Sequence, residues 1–188
     1  MTSMIREAAE AIRAGKLIIF PTDTVYGIGC DPFNRDAVAL LYSVKHRPLE
    51  KSIPLLVNSI RTAKSLGKLS PVCEELIEKH WPGALTIVVQ QETDALLTLS
   101  HDGTIALRMP DHEDLLELII CVGGAIAATS ANISGKPPIL TYDEVYAAFA
   151  DTVEVILPGK VREETSSTLI DCTGKAPVVL REGPVVLK

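Results

Sequence analysis

Three short stretches concentrate side chains that can hold charged small molecules. They are Pro21-Thr-Asp-Thr-Val-Tyr-Gly-Ile-Gly29, Lys45-His-Arg-Pro48 and Thr129-Ser-Ala-Asn-Ile-Ser-Gly-Lys-Pro137. The first and third combine hydroxyls, which donate and accept, with glycines that leave the backbone open. The second offers two cations two residues apart. Together these groups suit an anion such as a nucleotide phosphate.

Each stretch also has a plainer local reading. Lys45 and Arg47 near a helix end interact favourably with the helix dipole and with water. Pro48 stops that helix and can present both side chains at a rim. The Thr22–Gly29 segment reads either as a glycine-assisted turn or as the floor of a small amino-acid site. In the second case Thr24 offers a hydroxyl, Tyr26 packs and donates, and Gly27 and Gly29 let backbone approach a ligand. Thr129–Asn132 follows a small-residue strand, where ligands of α/β sheets often sit, although a turn explains the same residues. Arg108 ends the apolar pattern Ile105-Ala-Leu-Arg-Met. A guanidinium on a rigid strand can clamp a carboxylate with two hydrogen bonds, or pair with an acid such as Asp111.

Other chemistries find little support. Gly-x-Ser-x-Gly and Gly-x-x-x-x-Gly-Lys-Ser/Thr are both absent. Asp23 and Asp171 would make a carboxylate pair only if the fold joined them, and capping roles compete. Cys30, Cys73, Cys121 and Cys172 show no Cys-x-x-Cys, and His46, His80, His101 and His112 lack ligand spacing. The thiols read as reduced core residues, and no metal site is expected.

Alternating helical and extended patterns must position these groups. Ile5, Ala8, Ala9 and Ile12 mark a helix over 4–14 that stops at Gly15. A buried strand over 16–20 ends at Pro21. Asn34 caps a helix through Lys45, with Val38, Leu41 and Tyr42 on its apolar side. Residues 53–57 read as a strand, with Pro54 at an edge or at the strand start. Ser70-Pro71 opens a helix that ends near His80. Residues 84–89, 104–108, 125–128, 153–157, 168–172 and 178–180 read as strands, and 112–121 and 142–150 as helices. Lys160–Ser166 is the candidate mobile loop.

The chain has 188 residues, 47% of them hydrophobic and 22% charged, with a net charge of −6. That length and composition imply one folded domain with a sizeable aliphatic core. The acidic balance argues against broad non-specific nucleic-acid binding, though a local basic patch stays possible. No secretory leader or membrane-length apolar run is evident, so a soluble cytoplasmic protein is expected.

Seven segments in order resemble the YrdC/TsaC family of threonylcarbamoyl-AMP synthases. Besides the three stretches, they are Trp81-Pro-Gly-Ala-Leu-Thr86, Ile105-Ala-Leu-Arg-Met-Pro110, Ser167-Thr-Leu-Ile-Asp171 and Leu180-Arg-Glu-Gly-Pro184. The resemblance runs from about residue 5 to the C-terminus. It implies a YrdC-like single α/β domain over 1–188, a twisted mixed sheet with flanking helices and a concave basic cleft.

By the same resemblance the chain joins L-threonine, bicarbonate or CO2 and ATP into threonylcarbamoyl-AMP, releasing pyrophosphate. This is the first step of the tRNA t6A37 modification and a nucleotidyl transfer. The resemblance assigns Lys45 and Arg47 to catalysis, and Arg47, Lys51, Ser52, Thr104, Asn132, Thr141 and Arg181 to ATP. It assigns Thr24, Tyr26, Asn58, Arg108, Ser130 and Ser167 to L-threonine, with asparagine at 58 where relatives often carry histidine. Mg2+ is expected to accompany ATP without a dedicated protein cage. Downstream t6A transferase proteins are the expected recipients of the product, with weak tRNA contact possible and no membrane partner. Two rivals fit less well. A carbamoyl-adenylate-handling hydrogenase-maturation protein would be much longer. An RNA-binding module conflicts with the net charge.

Overall fold

The computed structural model describes residues 2–93, 96, 99, 102–162 and 165–186. Short-range signals set most helices. α1 (Ser3–Arg13) is capped by the Thr2 hydroxyl and buries Ile5, Ala8, Ala9, Ala11 and Ile12 on one face. α2 (Arg35–Val44) starts at Asn34, whose side chain accepts from Asp36 N and Ala37 N. α4 (Pro71–His80) opens on the Ser70 cap with Pro71 in its first turn. α5 (Glu113–Cys121) and α6 (Tyr142–Phe149) complete the expected set. α3 (Ile60–Leu66) went unexpected, being only seven residues long.

Among the described residues ten strands form one mixed sheet. They are β1 (Ile18–Phe20), β2 (Gly27–Cys30), β3 (Leu55–Val57), β4 (Gly67–Lys68), β5 (Leu85–Gln91), β6 (Thr104–Arg108), β7 (Ala125–Ser130), β8 (Val155–Ile156), β9 (Thr168–Asp171) and β10 (Val178–Arg181). The order is β10-β9-β5-β6-β3-β7-β2-β1-β8, with β4 against β5. Pro54 stands just before β3, which is central between β6 and β7. The strand-start reading therefore holds and the edge reading does not.

β2 corrects the expectation of a loop through Gly29. Gly27 and Gly29 pair with both β1 and β7. A Cβ at Gly27 would lie 2.8 Å from the Phe20 ring, and one at Gly29 would lie 2.6 Å from Ala127 O. These glycines make room for sheet packing under Phe20; at Gly29 ligand approach is not the reason.

The two faces of the sheet are covered unequally. On one face α2, α3, α4 and α6 pack over Ile19, Ile28, Leu55, Val57, Leu85, Ile87, Val89, Ile105, Leu107 and Ile170. On the other, α1 and α5 cover Ile18, Phe20, Leu56, Ile126 and Ala128. Side chains alternate along a strand, so Thr86, Val88, Ala106, Arg108, Leu169 and Asp171 share that second face. None of these six belongs to the α1–α5 core. Two helices cannot roof so wide a sheet, and a cleft opens beside them.

Candidate functional site

An open cavity of about 170 Å³ occupies that cleft. Phe20, Leu56 and Ala128 form apolar wall. Thr22, Thr24, Tyr26, Thr86, Ser130 and Ser167 add hydroxyls, and Arg47, Arg108 and Arg181 add charge. Seven residues named from sequence thus converge: Thr24, Tyr26, Arg47, Arg108, Ser130, Ser167 and Arg181. They come from loops and strands far apart in the chain.

Arg108 is held from three sides. Its Nε donates to Gly83 O at 3.0 Å, Nη1 to Thr24 Oγ1 at 2.9 Å and Nη2 to Asp23 Oδ1 at 2.7 Å. Both members of the Asp23–Arg108 pair are only 6% exposed. Burial lowers the Arg108 pKa, and Asp23 opposes that fall. Asp111 pairs with Arg162 at 2.6 Å instead. Asp171 accepts from Thr173 within its own turn, so the Asp23–Asp171 pair does not form.

Arg181 Nη2 donates to Ser167 O at 2.8 Å, and Ser167 Oγ lies 2.7 Å from Thr86 Oγ1. Burial lowers the Arg181 pKa, and the charges of Arg108 and Arg47 lower it further. Arg181 therefore feels the charge of both other guanidiniums of the cavity. Among its described lining residues there is no Asp or Glu, and Asp23 behind Thr24 balances one charge.

Lys45 corrects a different expectation. It was placed at an exposed rim but is 1% exposed. Its Nζ donates to Ser130 O at 2.5 Å, Asn132 O at 2.5 Å and Asn132 Oδ1 at 2.6 Å. Ser134 N donates in turn to Lys45 O, so the 130–134 segment wraps over the lysine and removes it from solvent. Burial, helped by Arg47, lowers the ammonium pKa to about 8. Arg47 donates to the carbonyls of Lys51 and Ser52 at 3.0 and 2.7 Å. The latter two contribute backbone, and neither side chain lines the cavity.

Other named residues lie apart from it. Thr104 is on the cleft face of β6 but four residues from Arg108, with Oγ1 donating to Asp102. Asn58 is engaged by Thr62 beyond β3. Thr141 is the α6 cap and donates to Glu144. Asn132 is buried behind Ser130 and held by Lys45. Tyr26 lines the cavity, yet its hydroxyl donates to Gly159 O at 2.7 Å. Of the Lys160–Ser166 stretch, residues 163 and 164 fall outside the described residues, as does His101.

Thr22, Asp23 and Thr86 were not singled out as site residues. All three stood inside the quoted segments, so the signal was present. What no segment revealed is that Asp23 would face Arg108, 85 residues away.

The fold is thus a mixed α/β sheet with an arginine-lined cleft. A family model described as Sua5/YciO/YrdC, telomere recombination, matches residues 10–183, and the chain belongs to this family. A Mycobacterium tuberculosis relative is 44% identical over 184 residues, 96% of this chain and 84% of its own. The threonylcarbamoyl-AMP synthase of Aliivibrio fischeri is 35% identical over 183 residues, 95% of this chain and 98% of its own. Pyrococcus abyssi Sua5, solved in complex with L-threonine, superposes with a TM-score of 0.88 at 39% identity. That match covers 94% of this chain and 53% of the Sua5 chain, so the chain spans about half of that relative.

Proposed function

We propose that this chain is a threonylcarbamoyl-AMP synthase whose cleft seats L-threonine beside ATP. One observation carries the reading: Arg181 is repelled by Arg108 and Arg47 in a cavity with no Asp or Glu among its described lining residues. An anion relieves that repulsion, and a carboxylate next to a triphosphate suits three guanidiniums. The relatives bearing the synthase name and the threonine complex of Sua5 support the same assignment.

Arg108, fixed by Asp23, Thr24 and Gly83, takes the threonine carboxylate. Arg47 and Arg181 face the nucleotide phosphates. The threonine amine adds to CO2 and loses a proton, forming a carbamate. A carbamate oxygen attacks the α-phosphorus of ATP, and the bond to the β,γ-diphosphate breaks to release pyrophosphate. This makes the chain a nucleotidyl transferase. No protein nucleophile takes part; positioning and cationic neutralisation of the departing charge do the work. Lys45 acts by shaping the Ser130–Asn132 loop. Lys51, Ser52, Thr104, Asn132 and Thr141 meet the nucleotide only where ATP extends past the cavity lining.

Among the described residues no group of three or more His, Cys, Asp or Glu is arranged for a metal, and Asp23 is engaged by Arg108. Mg2+ enters as the counter-ion of the triphosphate, with no step assigned to it. A separate transferase then receives the labile product. No helix among the described residues is long and apolar enough to cross a membrane.

The test supplies ATP, bicarbonate and L-threonine and follows pyrophosphate. Release that requires all three is expected. Release without threonine would indicate plain ATP hydrolysis, and none under any condition would remove the assignment.

A further inference from the structure

We infer that the amino-acid cavity recognises its ligand as a hydrogen-bond donor, because two relays turn the protons of Thr24 and Ser130 away from it. Thr22 is the positioning residue of the first relay and Asn132 of the second. The inference rests on reading the cavity as the L-threonine site.

The first relay follows from proton counting. Each hydroxyl has one proton and two lone pairs. Val25 O can only accept, and Thr22 Oγ1 lies 2.7 Å from it. The Thr22 proton therefore goes there, because an unsatisfied buried carbonyl is costly. Thr22 Oγ1 and Thr24 Oγ1 are 2.9 Å apart, a distance that needs a proton between them. With the Thr22 proton committed, Thr24 supplies it. Thr22 Oγ1 also accepts from Thr24 N at 3.0 Å, which fills its valence. Arg108 Nη1 can only donate, and it occupies one lone pair of Thr24 at 2.9 Å. One lone pair of Thr24 remains for the cavity it lines.

The second relay starts from charge. The Lys45 ammonium has no acceptor, so the Asn132 atom 2.6 Å from it is the oxygen. Ser130 Oγ lies 2.6 Å from the same oxygen and must donate to it. The Asn132 amide nitrogen, correctly placed by this logic, donates to Lys136 O. Ser130 thus also shows the cavity lone pairs alone.

Neither hydroxyl can donate to a carboxylate, which leaves that group to the arginines. L-Threonine carries two other polar groups, its nitrogen and its β-hydroxyl, and both have N–H or O–H to give. The cavity accordingly selects a β-substituent that donates. An acceptor of the same size meets two lone-pair surfaces. L-Serine shares the donor and is not excluded by this device.

The experiment compares dissociation constants by calorimetry for L-threonine, for its β-fluoro analogue with fluorine in place of the hydroxyl, and for L-α-aminobutyrate. Fluorine is near the hydroxyl in size but cannot donate. The fluoro analogue is expected to bind at least about tenfold more weakly than threonine and no better than α-aminobutyrate. Binding within about threefold of threonine overturns the inference. Thr22→Val releases the Thr24 proton, so the preference for threonine over the fluoro analogue should fall at least about threefold, and Thr22→Ser should restore it. A folded Thr22→Val with the full preference also overturns the relay; if it does not fold, the fluoro ligand on the unaltered protein decides. Absence of threonine binding and of threonine-dependent pyrophosphate would sink the site assignment as well. Threonine binding matched by the fluoro analogue would sink the donor inference alone.

Discussion

Lys45→Met separates stability from turnover in a way that tests the buried lysine directly. The ammonium gives three bonds to the Ser130–Asn132 segment. Charge-assisted bonds contribute about 1.5–3 kcal/mol each, so the three sum to roughly 4–9 kcal/mol. Opposing this is desolvation. At about 1.4 kcal/mol per pH unit, the drop in pKa from 10.5 to about 8 is worth roughly 3 kcal/mol. The variant should therefore lose about 1–6 kcal/mol by urea unfolding at neutral pH. Its turnover should fall at least about a hundredfold, because the loop that carries Ser130 loses its anchor.

The same lysine gives opposite pH trends. Its folded pKa lies below the unfolded value, so between about pH 8 and 10.5 the unfolded chain holds a proton that the folded chain has released. The contribution of Lys45 to stability rises with pH across that window. The neutral amine has two N–H for three oxygens, so pyrophosphate release should decline over the same range. Lys45→Met should lack both trends. An unchanged melt with unchanged turnover in the variant, or the same rise in stability without the lysine, would refute the reasoning.

Arg181→Ala removes a charge repelled by Arg108 and Arg47. Stability should stay within about 1 kcal/mol while the KM for ATP rises at least about tenfold, read by melting and by initial rates. Asp23→Asn leaves Arg108 as an uncompensated buried charge. It should cost about 3–5 kcal/mol in urea unfolding and raise the KM for threonine; a silent variant would remove Asp23 from the site. Gly29→Ala puts a methyl 2.6 Å from Ala127 O and should lower stability by about 1–3 kcal/mol, with an unchanged melting temperature counting against the packing account.

The parts legible in the chain were those written in short-range code. Asn34 and Ser70 announce helix starts, and the amide oxygen and the hydroxyl do cap. Strand β2 was illegible because Gly27 and Gly29 read locally as turn. Their reason is a ring from β1 and a carbonyl from β7, groups no local pattern contains. Lys45 misled for a similar reason. A cation before a proline suggests solvent, and only the 130–134 segment folding over it reverses that.

By itself the chain order determined the family, the helix caps and the set of hydroxyls and arginines that meet in the cleft, because these depend on residue type and near neighbours. Tertiary structure alone decided that Asp23 restrains Arg108 and that Lys45 is interior. Those outcomes depend on which donor faces which acceptor across 84 or more residues of separation, and such distances exist only once the sheet is assembled.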